Sequence, residues 1–316
     1  MASTVGAMNH HPARVTVPAG PLQVSVLDYG DPDDPPMVLL HGSSDLAWSL
    51  DSIAQAFADR YRVIALDLRG HGHSDHAGAY SILHYVADLD RVLHHFDLVD
   101  RRPVLVGHSL GGHIAAQFCG LYPDVPAALV LIEGTGPPAR VVSEGPEYRA
   151  EFARTVVELL HTPLRQRPLA DLDAAVARLV AAHPRLDPGR ARFLAEVGTC
   201  PGPDGGLVWR FDPRTRDWIA SIDHEVTEER WRMVRCPVLA ILGTESWDTW
   251  WSVRTPLSGD AELPARVRMT PEEYEAHLSA FPDIEHVELS EAGHMIAFDQ
   301  PERLNDVIAQ FLARRT

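Results

Sequence analysis

The stretch Val104-Leu105-Val106-Gly107-His108-Ser109-Leu110-Gly111-Gly112 decides the fold. Its first three residues are apolar with no polar alternation, as a strand buried on both faces requires. A G-x-S-x-G follows, and a helical pattern then runs over Gly112–Leu121. In that bracket the motif reads as a nucleophile elbow. Side chains at positions 107 and 111 would clash in so tight a turn, which accounts for the two glycines. The turn lifts the Ser109 hydroxyl above the sheet, and the helix start offers unpaired N–H groups and a positive dipole end to a developing oxyanion.

Working outward, Met37–Leu40, Val63–Leu66, Leu129–Ile132 and Val238–Leu242 are further continuous apolar runs, and Ile284–Leu289 reads as one more strand. Leu22–Tyr29 alternates, which predicts a half-exposed edge strand of a hairpin. Helical patterns such as Leu83–Phe96 lie between the strands. The β-α-β-α order predicts an α/β fold, a mostly parallel sheet with helices on both faces. From Pro137 to Met233 helix formers take over, at Glu147–Leu160, Leu169–Ala182, Pro188–Val197 and Glu225–Arg235. This predicts a helical cap at 137–233, inserted in a core made of 1–136 and 234–316. Trp251–Met269 has no period and is expected to be a loop. Thr270-Pro271-Glu272-Glu273 is a capping box with Pro at the first helical position, opening a helix to Phe281.

With 316 residues and 45% apolar composition, the chain can bury a large core. Its 28 cationic residues are all Arg; against 44 acidic ones they leave a net charge of −16. Such a surface repels phosphate backbones and anionic lipid, so neither nucleic acid nor a membrane is expected as partner. The absence of Lys excludes Walker-type phosphate loops, pyridoxal Schiff bases and Lys nucleophiles. Three scattered cysteines make neither a disulfide framework nor a Cys-rich zinc site. No run approaches a membrane span and the start lacks a signal-peptide core, so a cytoplasmic protein is expected. Monomer and homodimer both stay open.

Two further pieces follow strands. In His41-Gly42-Ser43-Ser44 the N–H of Ser43 can pair with that of Leu110 as a two-donor oxyanion hole. Ala292-Gly293-His294-Met295 follows the last strand and completes the chain order Ser, acid, His. A competing motif, His71-Gly72-His73-Ser74-Asp75-His76, has the spacing of a zinc site built from His71, His73, Asp75 and His76. It leaves the elbow unexplained, and we expect no metal. Trp48 is expected in the core, Arg69 in structural hydrogen bonds, and His94, His95 and His113 in structural or exposed roles.

Taken together, HGSS at His41, DLRGHGHS at Asp67, GHSLGG at Gly107 and AGHM at Ala292 resemble the α/β-hydrolase superfamily, in its lidded branch of esterases and lactonases. The resemblance spans Leu22 to the end. It implies an eight-stranded, mostly parallel sheet under a helical cap, with a Ser–His–acid site and no cofactor. A serine hydrolase acting on a small-molecule carboxylic ester or lactone is the implied activity. The same triad also serves C–C bond hydrolases and acyltransferases, and the fold serves non-catalytic small-molecule receptors. Ser109 speaks against epoxide hydrolases and haloalkane dehalogenases, which carry Asp at the elbow.

The acid departs from the family pattern. Most relatives place an Asp three residues after the Gly that ends its strand; here that position is Ser246. Glu133, which closes the strand Leu129–Ile132, is the acid we expect, as in some members of the superfamily. Asp248 and Glu245 are the alternatives. Around the site, His41, Gly42, Ser44, His108 and Trp247 are expected to line the substrate pocket. Trp247, Trp250 and Trp251 form either an aromatic wall there or cap–core packing.

Overall fold

The computed structural model describes residues 10–135, 139–141, 154, 157, 161, 166–203, 205–221, 224–246, 266–268 and 271–316. Its strands are β1 (Ala13–Ala19), β2 (Leu22–Tyr29), β3 (Pro36–Leu40), β4 (Arg62–Leu66), β5 (Val104–His108), β6 (Ala128–Ile132), β7 (Ala139–Val141), β8 (Thr199–Pro201), β9 (Leu207–Trp209), β10 (Val238–Gly243), β11 (Arg266–Arg268) and β12 (Ile284–Leu289). The helices are α1 (Asp51–Phe57), α2 (Ile82–His95), α3 (Leu110–Leu121), α4 (Leu172–Ala182), α5 (Pro188–Gly198), α6 (His224–Trp231), α7 (Pro271–Leu278), α8 (Ile296–Asp299) and α9 (Pro301–Arg315).

Eight of these strands form one sheet in the order β1-β2-β4-β3-β5-β6-β10-β12. From β4 to β12 all pairings are parallel; β1 and β2 join antiparallel. Side chains along each inner strand divide between two cores, as the two-residue period dictates. Val38, Leu40, Leu105, Leu129 and Leu131 face Leu89 and Val92 of α2 and Ile114 and Phe118 of α3. Met37, Leu39, Val106, Val130 and Ile132 face Ile53 and Phe57 of α1 and Leu304, Ile308 and Phe311 of α9. Both faces are covered, so β3, β5, β6 and β10 are wholly buried and read as unbroken apolar runs. Each such side chain contributes roughly 2 kcal/mol by leaving water.

This order locates the site. The chain leaves β3 through α1 for β4 on one side, whereas β5 lies on the other side and leads away through β6, β10 and β12. The reversal falls between β3 and β5, and a parallel sheet opens a crevice beyond its carboxyl ends at that point. The His41–Ser44 turn and Ser109 both emerge there.

Three expectations are corrected. Leu22–Tyr29 is not the edge: β1 covers it, pairing from Ala13↔Asp28 to Ala19↔Leu22. Pro18 fits β1 because an edge strand tolerates a missing N–H. The stretch between β6 and β10 is not helical throughout, since β8 and β9 pair as a short hairpin. Arg266–Arg268, expected in a loop, pairs antiparallel with Ala139–Val141. The expected helix Glu147–Leu160 lies, but for residues 154 and 157, outside the described residues, as does Thr270 of the capping box. Among the described residues no helix is long and apolar enough to cross a membrane.

Candidate active site

Ser109 joins β5 to α3 with φ 50 and ψ −116, a left-handed conformation unusual for a residue with a side chain. Bonds on both sides hold it there: its N–H donates to the Ile132 carbonyl at 2.9 Å, and its carbonyl accepts from Gly112 N at 2.9 Å. A Cβ at Gly111 would come within 2.1 Å of the Leu40 carbonyl oxygen, so only glycine lets the helix approach β3. Within an elbow that is otherwise buried, Ser109 is partly accessible. Backbone strain at an accessible serine between a strand and a helix is a feature that clusters at functional positions.

The turn after β3 packs directly against this serine. A Cβ at Gly42 would lie 3.3 Å from Ser109 Cβ and 2.9 Å from His108 Nδ1. Two imidazoles fix the turn from behind. His41, fully buried, bonds the Gly42 carbonyl through Nδ1 at 2.7 Å and accepts from Leu68 N through Nε2 at 3.0 Å. His71 bonds the Arg69 carbonyl through Nδ1 and accepts the Ser44 N–H through Nε2 at 3.1 Å. Burial lowers both imidazoles to about 3, which keeps each ring neutral and able to accept.

Glu133 ends β6 with φ 51, again a left-handed residue with a side chain. Its carboxylate is completely buried and faces His294 Nδ1 at 3.2 Å through Oε2. Oε1 accepts from Gly243 N at 2.6 Å and from Ser246 Oγ at 2.8 Å. The loop beyond Glu133 is clamped by α7: Tyr274 Oη and Thr135 Oγ1 are 2.6 Å apart, and His277 Nε2 bonds the Thr135 carbonyl at 3.2 Å. The elbow reaches the histidine as well, through His108 Nε2, which donates to the His294 carbonyl at 2.9 Å.

Burial raises the Glu133 carboxyl to about 7, against the lowering pull of the Gly243 and Ser246 donors. Burial lowers the His294 imidazole to about 3. A neutral imidazole that donates from Nδ1 to a carboxylate keeps its lone pair on Nε2. That is the form a general base needs.

The structure therefore gathers Ser109, Gly42, Ser43, Leu110, His294 and Glu133 at one sheet edge. Glu245 turns outward to Arg185, at 2.7 and 2.9 Å, while it is Glu133 that faces His294. His41 and His108 are buried: His41 bonds backbone through both ring nitrogens, and His108 through Nε2. Ser44 is partly buried and its hydroxyl oxygen has no partner. The residues of the zinc alternative have other bonds. His71 uses both nitrogens on backbone, and among the described residues no three His, Cys, Asp or Glu side chains group to hold a metal ion. Arg69 forms a buried two-bond pair with Asp88 of α2, 2.6 Å in each bond. Trp48 sits edge-on to Phe193 of α5. Trp247, Asp248, Trp250 and Trp251 lie outside the described residues.

Sequence reasoning missed the supporting residues. Ser246 stood out as an absent acid, yet its hydroxyl donates to the buried carboxylate of Glu133. Tyr274 and His277 sit one turn apart on a helix the sequence does announce, but nothing local ties them to Thr135. Trp218, whose indole N–H donates to Ser43 Oγ at 2.8 Å, gives no periodic signal.

Residues 37–307 match the model of the alpha/beta hydrolase family. The chain is 30% identical over 205 residues to a serine hydrolase-like protein of Danio rerio, covering 64% of this chain and 61% of that protein. It thus spans less than two thirds of that relative's length. It is 28% identical over 306 residues to an sn-1-specific diacylglycerol lipase of Mus musculus, covering 93% of this chain and 85% of the lipase. Among solved structures, a thioesterase domain from the curacin biosynthetic pathway matches with a TM-score of 0.79 at 24% identity, over 95% of this chain and 99% of that one.

Proposed function

The chain belongs to the alpha/beta hydrolase family, and from that premise we propose that it cleaves a small-molecule carboxylic ester or lactone through an acyl-enzyme on Ser109. The observation that carries this reading is the buried Glu133–His294 pair, 3.2 Å apart, at the sheet edge where the strained Ser109 emerges.

In the reaction, His294 Nε2 takes the Ser109 proton as Oγ attacks the carbonyl carbon. Negative charge gathers on the carbonyl oxygen, and the N–H groups of Leu110 and Ser43 receive it. One such donor is worth roughly 3 kcal/mol. The C–O bond to the alcohol breaks, and the alkoxide leaves with the proton from His294. Water then gives a proton to His294 and its oxygen to the acyl carbon, releasing the acid and restoring Ser109. Throughout, Glu133 holds the imidazole tautomer and stabilises the imidazolium. In this reading residues 137–233 cap the site and sort substrates by size. The lipase and thioesterase names among the similar proteins support acyl transfer and leave the choice of ester to experiment.

The test is intact mass after treatment with a fluorophosphonate, followed by peptide mapping. A single adduct on Ser109, lost in His294→Ala, is expected. A folded protein that takes no label, or is labelled elsewhere, overturns the proposal.

A further inference from the structure

Trp218 stands on the short 3-10 segment Pro213–Ser221, far along the chain from the elbow, yet its side chain is buried against it. Its indole N–H donates to Ser43 Oγ at 2.8 Å. The indole ring also lies 5.2 Å from the ring of His113, tilted by 52°. His113 is on the first turn of α3, and its own N–H donates to the Ser109 carbonyl at 3.2 Å. One side chain therefore touches both supports of the anion site: the turn that carries the Ser43 N–H and the helix start that carries the Leu110 N–H. The segment bearing Trp218 is itself tied to the core. Asp212 N donates to the Gly70 carbonyl at 2.7 Å, and Tyr80 Oη donates to the Asp212 carboxylate at 2.7 Å.

Resting on the hydrolase reading above, we infer that Trp218 is a positioning residue for the oxyanion hole. By gripping the Ser43 side chain and resting on His113, it fixes the spacing between the two N–H donors. Docking of the 213–221 segment and assembly of the anion site are then one event. The effect belongs to the transition state, because an oxyanion is held only when both donors converge on it. Ground-state binding does not need that convergence.

The experiment compares Trp218→Phe, Ser43→Ala and their double variant. The readouts are kcat and KM for p-nitrophenyl acetate and the affinity of an aryl trifluoromethyl ketone, whose serine adduct mimics the tetrahedral intermediate. Trp218→Phe keeps an aromatic six-membered ring and loses the indole N–H with the five-membered ring that carries it. It should lower kcat about 10-fold, weaken the ketone by a similar factor and leave KM near its wild-type value. Ser43→Ala should match it, and the double variant should lose nothing more. If Trp218→Phe does not fold, Ser43→Ala alone tests the same bond with Trp218 in place, by the same fall in kcat and ketone affinity at unchanged KM. A raised KM with kcat and ketone affinity unchanged, or losses that multiply in the double variant, overturns the inference and leaves the hydrolase reading standing. A wild-type protein that takes no fluorophosphonate on Ser109 removes that reading, and this inference with it.

Discussion

In the proposed site, the Ser109 side and the Glu133 side are built by different means. Ser109 stands where it does because the backbone around it permits nothing else: carbonyls fix its peptide, and Gly111 clears the path past Leu40. Glu133 is held by side chains and peptides from far along the chain. Its partners are Gly243, Ser246 and His294, at separations of 110, 113 and 161 residues. Backbone sterics leave a short motif in the sequence, whereas a hydrogen bond between distant residues leaves none.

The hardest way to break this contrast is to move the acid. If Glu133 orients His294, Glu133→Gln lowers kcat by about four orders of magnitude, and Asp248→Asn leaves it near the wild-type value. Steady-state kinetics on one ester with both variants checks this. The reverse result would put the acid at Asp248, two residues beyond where relatives carry it, and Glu133 would become a buried brace for the Gly243 turn.

Stability against pH sharpens the same contrast. Below about 4.5 the Glu133 carboxyl is protonated whether the chain is folded or not. As pH rises toward the folded value of about 7, the unfolded chain ionises while the buried carboxyl resists, so stability falls. Glutamine cannot ionise. The Tm of Glu133→Gln minus that of the wild type should therefore grow by a few degrees between pH 5 and pH 8. His294 has the opposite sign. Its folded value is depressed, so its contribution is present above pH 6.5 and is lost as pH falls toward 3. A Tm difference that stays flat with pH would mean that the carboxylate is fully compensated where it lies.

A smaller effect is expected one bond further out. Ser246→Ala removes one of two donors to Glu133 Oε1, and each donor lowers the carboxyl's pKa. The acidic limb of kcat/KM should move to higher pH, by up to about one unit, while the plateau above pH 8 changes little. An unmoved limb would show that Gly243 alone suffices and that Ser246 only fills space.

How much of this was legible follows from the same physics. The inner strands β3, β5, β6 and β10 announce themselves because burial on both faces forbids polar residues in them. β1 does not: Val15, Val17 and Ala19 alternate over one short stretch interrupted by Pro18, and without β1 the strand β2 reads as an edge. β8 and β9 are three residues each, too short for any period. At the site, the elbow, the His41–Ser44 turn and His294 are motifs after strands. Glu133 was legible through the expense of a carboxylate at a buried strand end. Ser246 showed only as a departure, because a serine in a loop does not say what it donates to. Trp218 is an isolated aromatic whose partner precedes it by 175 residues.

The smallest effect is expected where the proposed cap touches the core through charge alone. Arg185 meets Glu245 in two bonds, but both side chains are 43% exposed. Water and salt screen such a pair, and ordering two long side chains offsets what remains. Arg185→Ala should leave Tm and kcat/KM within error at physiological ionic strength, in contrast to the buried Trp218–Ser43 bond. One route could make it matter. Arg185 also lies 3.5 Å from Asp299 Oδ2, which accepts the N–H of Gly293, the residue before His294. A several-fold fall in kcat in Arg185→Ala that vanishes at high salt would mean that charge on the cap reaches the catalytic histidine through Asp299. The acid side would then be held partly by long-range charge, whereas the elbow, built from backbone, would show no such salt dependence.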